Sequence, residues 1–410
     1  MFALETYNLD NGVKLVYKHT PDKKVTSVQL WMKTGSINEN KDNNGISHFL
    51  EHMVFKGTKS FAPDEIDTLV ESKGGQMNAA TSKDYTFYYI TIPTFNAEIA
   101  FHVISEMVFE ATFPEKEIEK EKPVVIQEIM RKHDSPTHDM WVYISEQLFE
   151  NTPYEREIIG TVDNVNSFDK KTLLKYYSGF YHPENMTLVV VGDLGFDKAK
   201  KLALQYFNKT KNSQVINKDF GKPTKLSNVE KVFKKDISQE YTALVFRAPP
   251  ITEKDRYALE VLTEILSGGE YSLLNEKLKN IEKPLVNMVF GGYMGLKKGG
   301  SFTFFYTRQF EKNRKPLEEI EKIIQDITEG NISEKSVERA KKRLKAQTVF
   351  QREKTSSEAN DIGMAYTLGI EDYYLEYTEK IESVTIKDIK TVANSIFNQP
   401  HILTKTIPTN

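Results

Sequence analysis

The stretch HFLEHMVFKGT, His48 to Thr58, carries two histidines and a glutamate within five positions of an apolar background. On an α-helix turning about 100° per residue, Glu51 lies about −60° and His52 about +40° around from His48, so all three project from one side within one turn. Two imidazoles four residues apart can chelate one zinc ion, and a glutamate between them can reach a water on that metal. The order His-x-x-Glu-His reverses the commoner His-Glu-x-x-His and makes the same geometric offer. The same residues also suit an ordinary amphipathic helix that happens to carry histidine. With eight histidines in the chain, a chance pair at this spacing is uncommon but not negligible, so the pattern needs a third ligand.

Candidates for it sit on the helix expected after Glu115. Glu121 and Glu128 are two helical turns apart and share a face. Either could reach back to the histidines, and spacing alone does not choose between them. For both, a solvated charged helix is the plain alternative. Ile126, Ile129 and Met130 give Glu128 the more apolar setting, in which a carboxylate calls for a partner such as a cation. The chain has no cysteine, which removes disulfides, thiolate metal sites and a cysteine nucleophile together. Any metal must therefore be held by histidine and carboxylate.

The elements that would position these groups can be read from periodicity and punctuation. Thr6 to Gly35 reads as strands, with NGVKLVYKH following a turn signal and VTSVQLWMKTGS rich in β-formers. From Gly45 the period changes: Ile46, Phe49, Leu50, Met53 and Val54 recur at helical spacing, so a helix is expected over His48 to Phe55. A second helix is expected from Ala62 to about Lys73, ended by Gly74 and Gly75. QMNAATSKDYTFYYITIP reads as strand, tight turn and strand, and Phe95 to Thr112 as an apolar helix. PVVIQEIMRKHDSP reads as a further helix with Pro123 near its start. NMTLVVVGDLG reads as a buried strand. Asn208 to Asn228 is polar and lacks apolar periodicity, as a linker does. Beyond it the order of strands and helices recurs. Two similar α+β units result, residues 1–210 and 229–410 joined by a linker at 211–228.

Composition narrows the function classes. The 410 residues carry a net charge of −3 with 28% charged residues, which makes no electrostatic case for nucleic acid or an anionic membrane. No run approaches the roughly 18 apolar residues of a membrane span. The N-terminus lacks a basic start followed by an apolar run. A cytoplasmic protein is expected, or a periplasmic one if a leader has been removed.

HFLEHMVFKGT followed by Glu128 resembles the pitrilysin/insulinase family of zinc metallopeptidases, the inverzincins, in its short processing-peptidase-like branch. SKGGQMNAATSKDYTFYY, YEREIIGT, FYHPENMTLVVVGDL and, in the second half, SGGEYSLLNEKL carry the resemblance along essentially the whole chain. It implies two homologous domains, each a mostly antiparallel sheet packed with helices, that form half of a clam-like chamber. It implies Zn2+ held by His48, His52 and Glu128, with Glu51 as general base. Glu121 matches a further acidic position that supports a ligand or proton movement from outside the ligand set. Asn78, Ala79, Ala80 and Thr81 match the edge strand that pairs with an extended peptide, and Phe55 is expected beside the scissile bond. The implied activity is hydrolysis of short or unfolded peptides, by a dimer with a homologous subunit or a second copy. A non-catalytic scaffold and a zinc-dependent peptide-binding subunit are the rival readings.

The second half departs from the family. Active members supply an Arg and, seven residues later, a Tyr that stabilise the oxyanion. Lys279 and Val286 occupy those positions here. Valine cannot donate a hydrogen bond, and losing one oxyanion donor costs about 10²–10³ in rate. The chain alone is thus expected to be a poor peptidase, served by the Arg/Tyr pair of a partner or by the nearby Tyr293, Tyr306 and Arg308.

Overall fold

The computed structural model describes residues 3–209, 219–310 and 315–409. They form two compact units, and the division is not a single cut. The first unit takes Met1–Lys132, Arg156–Gly221 and Phe350–Tyr374; the second takes His133–Glu155, Lys222–Val349 and Leu375–Asn410. The sequence division into 1–210 and 229–410 therefore misses two exchanged segments, each of which lays a helix on a sheet. Of the expected linker, 211–218 lies outside the described residues, and 219–228 carries no regular element.

In the first unit six strands make one sheet in the order β1-β2-β6-β3-β5-β4. They are β1 (Leu4–Asn8), β2 (Lys14–His19), β3 (Val25–Met32), β4 (Gln76–Thr81), β5 (Thr86–Pro93) and β6 (Met186–Gly192). Only β2 and β6 pair in parallel, and the other neighbours are antiparallel. All seven residues of β6 are buried, which is why it reads as an unbroken apolar run rather than an alternation. One face carries the core, where Val28, Leu30, Leu188 and Val190 join Phe49, Leu50 and Ile104. The other is closed by the helix Thr355–Leu368. A Cβ on its Gly363 would stand 2.1 Å from Trp31 Nε1, so this close approach requires glycine. Gln29 ties the two elements, accepting from Trp31 Nε1 at 2.9 Å and donating to the Ser356 carbonyl at 3.1 Å.

Five helices come next along the chain, the first four in the first unit and the fifth in the second. They are α1 (Ile46–Met53), α2 (Glu65–Ser72), α3 (Ala97–Phe109), α4 (Glu115–His133) and α5 (His138–Phe149). Eight residues are too few for a stable helix in water. What holds α1 is burial of Ile46, Phe49, Leu50 and Met53, each contributing about 1.5–3 kcal/mol. Pro123 does not start a helix. It lies inside α4, a continuous 19-residue helix anchored by buried Ile118, Val125 and Ile129. Their packing outweighs the lost backbone hydrogen bond, which costs about 3 kcal/mol, and the continuity keeps Glu121 and Glu128 on one face.

The second unit repeats the topology. Strands β7 (Val229–Lys235), β8 (Gln239–Ala248), β9 (Met288–Leu296), β10 (Gly299–Gln309) and β11 (His401–Pro408) are ordered β7-β11-β8-β10-β9. The parallel pair is β7 with β11, matching β2 with β6, and β9 takes the edge position that β4 takes in the first sheet. Helix α5 covers this sheet, with Trp141 against Phe305 at 5.8 Å and Arg247 Nε donating to the Leu148 carbonyl at 2.7 Å. Among the described residues no helix is long and apolar enough to cross a membrane.

Candidate metal centre

The chain enters α1 through Gly45 at φ +95°, a conformation that glycine adopts without strain. A Cβ there would meet the Ile159 carbonyl oxygen at 2.6 Å. Glu39, absent from the sequence reading, caps this start. Its buried carboxylate accepts from Asn44 Nδ2 at 2.9 Å, Gly45 N at 2.8 Å and Ser47 N at 2.9 Å. Burial raises its pKa against those hydrogen bonds. An acidic residue shortly before a glycine-led helix start was the available signal, because anionic groups favour helix N-termini.

From this fixed start, His48, Glu51 and His52 face α4 and the end of β4. One nitrogen or oxygen each from His48, His52 and Glu128 lie within 4.8 Å of one another. Glu128 Oε2 stands 3.7 Å from His48 Nε2 and 3.8 Å from His52 Nε2. These separations exceed hydrogen-bond length. They approach the roughly 3.4 Å between two ligands on one tetrahedral zinc, given zinc–nitrogen and zinc–oxygen bonds of about 2.0–2.1 Å. Two imidazoles and a carboxylate are also a donor set that suits zinc.

Glu121 supplies the next layer. Its Oε1 is 2.9 Å from His52 Nδ1, and its Oε2 is 3.0 Å from Lys56 Nζ. A histidine that donates a hydrogen bond from Nδ1–H to a carboxylate keeps Nε2 as the ligating atom. The burial expected from sequence is reversed here. Glu121 is the hidden carboxylate, 7% exposed, while Glu128 is 43% exposed. Ile129 packs inward beside Glu128, but Met130 is exposed, so the apolar flanks did not enclose the acid.

The charges follow from these contacts. Burial, with the neighbouring His52 and Lys132, pushes His48 down to about 4. Its Nδ1 is buried without a hydrogen-bond partner. Burial pushes His52 down too, but the Glu121 hydrogen bond and the charges of Glu51, Glu121 and Glu128 outweigh it, and the net direction is up. Burial likewise acts to raise Glu121, and hydrogen bonds from His52 and Lys56 turn the net shift downward. Glu51 is raised by burial against the Thr81 hydrogen bond.

Thr81 links the ion-type cluster to the sheet edge, its Oγ1 donating to Glu51 Oε2 at 2.5 Å. Asn78, Ala79, Ala80 and Thr81 all lie on β4, which pairs with β5 on one side and ends the sheet on the other. Asn78 and Ala80 are exposed, and Ala79 and Thr81 half-buried. Phe55 is half-buried against the core, 6.3 Å from the Tyr88 ring.

The residues considered for the oxyanion belong to the second unit. Lys279 ends a short π-helical turn, Asn275–Lys279, and Val286 is 3% exposed within the core. The substitutes are already engaged inside that unit. Tyr293 donates to the Pro249 carbonyl at 2.8 Å and Tyr306 to Glu240 at 3.4 Å. Arg308 holds Glu240 Oε2 through Nε at 3.0 Å and Nη2 at 2.9 Å.

Known proteins agree with this architecture. Residues 14–162 match the family described as insulinase (peptidase family M16), and residues 167–344 match the peptidase M16 inactive domain. An uncharacterized zinc protease, YmxG, of Bacillus subtilis (strain 168) is 28% identical over 402 residues, covering 98% of this chain and 97% of its own. The mitochondrial-processing peptidase subunit beta of Dictyostelium discoideum is 26% identical over 409 residues, covering 95% and 85%. The crystal structure of a protease from Helicobacter pylori superposes with a TM-score of 0.90 at 26% identity, over 99% of each chain. The chain belongs to the insulinase family of peptidases, whose relatives here are named zinc proteases.

Proposed function

We propose that this protein is a zinc-dependent endopeptidase that hydrolyses short or unfolded peptides, and that it is the zinc-bearing subunit of a dimer. The observation that carries the reading is the convergence of His48, His52 and Glu128 beside a Glu51 that is tethered to an edge strand. Zinc bound there would supply Lewis-acid activation of water and of the scissile carbonyl. The Glu51 carboxylate, anchored at Oε2 by Thr81, takes the proton of the attacking water and returns it to the leaving amine. Glu121 holds the His52 ring in register. The outer edge of β4 offers backbone groups to an extended peptide, and the small side chains of Ala79 and Ala80 keep that edge open. Phe55 lines the pocket beside the cleaved bond. Lys279 and Val286 leave the oxyanion to donors from a homologous subunit, and one relative is itself named as a subunit.

The test combines metal analysis with cleavage of an unstructured fluorogenic peptide by the wild type and Glu51→Gln. Zinc in both proteins and turnover in the wild type alone is the expected result, with a loss of about 10²–10⁴ on substitution. A monomer in sedimentation that turns over at full rate would sink the subunit reading. The buried Val286 favours a second reading, a zinc-dependent peptide-binding subunit. Zinc in both proteins with turnover in neither, even after a homologous subunit that carries the Arg/Tyr pair is added, would establish it, and a wild type without zinc would leave a scaffold.

A further inference from the structure

We infer that Lys56 is a positioning residue for the metal centre, acting through Glu121 on His52. His52 lies in the last turn of α1, and Lys56 follows three residues past its end, in the turn that leaves the helix. Between them they grip a single carboxylate from α4. Glu121 Oε1 meets His52 Nδ1 at 2.9 Å, and Glu121 Oε2 meets Lys56 Nζ at 3.0 Å. The carboxylate is 7% exposed and the lysine side chain 30% exposed, so the pair is shielded well enough to be worth more than a surface ion pair.

The geometry shows what the lysine adds. A carboxylate held by one hydrogen bond can swing about its last torsion, which is broad and roughly two-fold. Held at both oxygens, Glu121 keeps Oε1 aimed at Nδ1. The His52 ring is then fixed in the rotation that turns Nε2 toward Glu128, 3.8 Å away. The two histidines are unequal in this respect. His48 Nδ1 is buried with no hydrogen-bond partner, and its ring has no carboxylate behind it among the described contacts. The orientation of the ligand set thus depends on the His52 side, and Lys56 is the outermost member of that chain of contacts.

The inference rests on the zinc reading of His48, His52 and Glu128 and extends it to a residue that does not reach the ion. Zinc affinity, measured by competition with a chromophoric chelator, tests it on the full chain. Partners outside the ligand set typically contribute 10–100-fold in metal affinity. Lys56→Met is expected near the lower end, about 10-fold weaker. Lys56→Arg, which keeps a cation within reach of Oε2, should recover at least half of that loss on a logarithmic scale. Lys59→Met serves as the control, since Lys59 pairs with Glu110 on the surface at 2.6 Å and should leave zinc affinity unchanged. Thermal unfolding of the metal-free proteins separates a general loss of packing from an effect on the site, and Lys56→Met should melt within a few degrees of the wild type. A wild type that binds zinc while Lys56→Met binds it within twofold overturns the role of Lys56 alone. So does a loss that Lys56→Arg does not restore. A wild type that binds no zinc overturns the zinc reading and this role with it.

Discussion

At the scale of single residues, the site is defined by which atoms are held rather than by which residues are present. Glu51 would be a surface carboxylate with many rotamers if α1 carried it alone. The 2.5 Å contact with Thr81 Oγ1 fixes one of its oxygens, and this tether makes the last residue of β4 part of the geometry of the candidate site. Hydrogen bonds to charged groups are worth about 1.5–3 kcal/mol, which corresponds to roughly 10–100-fold in rate if the alignment is lost. Thr81→Val, which keeps the shape and removes the hydroxyl, is therefore expected to lower kcat by about 10–100-fold with zinc content unchanged. Steady-state kinetics on an unstructured peptide, paired with metal analysis, checks it. Unaltered kcat would mean that Glu51 is oriented by other means. The sequence displayed both residues but not their contact, since 30 positions separate them.

At the scale of elements, the helix Thr355–Leu368 shows how an accessory element becomes necessary. It closes the second face of the first sheet, and it brings charge with it. Burial, with the negative Glu358 nearby and against the pull of Arg352, raises Asp361 to about 6. The folded state thus favours the protonated acid. Its contribution to stability is full below about pH 4, the ordinary aspartate range, and is lost as the pH rises through about 6. Asp361→Asn removes that loss. The variant is expected to melt higher than the wild type at pH 7.5 and indistinguishably from it at pH 4, as followed by circular dichroism. An equal gain at both pH values would show that the effect is packing rather than ionisation. The element itself was not assigned from the sequence, because its apolar residues fall without a strong stripe and Gly363 reads as a breaker. Gly363 is needed instead for the approach to Trp31.

For the whole molecule, the repeat and the exchange of segments are the governing facts. Five strands of each unit share one topology, with the parallel pair and the edge strand in corresponding places. Yet neither unit is contiguous in sequence. A fragment ending at residue 221 would lack Phe350–Tyr374 and leave Trp31, 2% exposed in the full chain, facing water. Exposed apolar sheet faces of this kind drive association. Residues 1–221 are expected to aggregate or remain partly unfolded, whereas the same fragment with residues 350–374 joined by a flexible linker should fold cooperatively. Soluble yield and urea unfolding compare the two, and a stable, cooperative 1–221 fragment would refute the requirement.

What the sequence determined by itself is local. The His-x-x-Glu-His spacing puts three side chains on one side of α1 because a helix turn is short. The apolar residues at Phe49, Leu50 and Met53 mark the opposite side by the same periodicity. The strands from Thr6 to Gly35 and the pair QMNAAT and TFYYITIP announced themselves by alternation and turn residues. How distant elements meet was set by packing. Glu121 and Glu128 share a face of α4 and were equivalent by spacing. Packing of α4 against α1 made one the buried partner of His52 and Lys56, and set the other 3.7 Å from His48. Periodicity is a property of neighbouring residues, while the choice between two carboxylates two turns apart is made by the crossing of two helices and the core that fixes it.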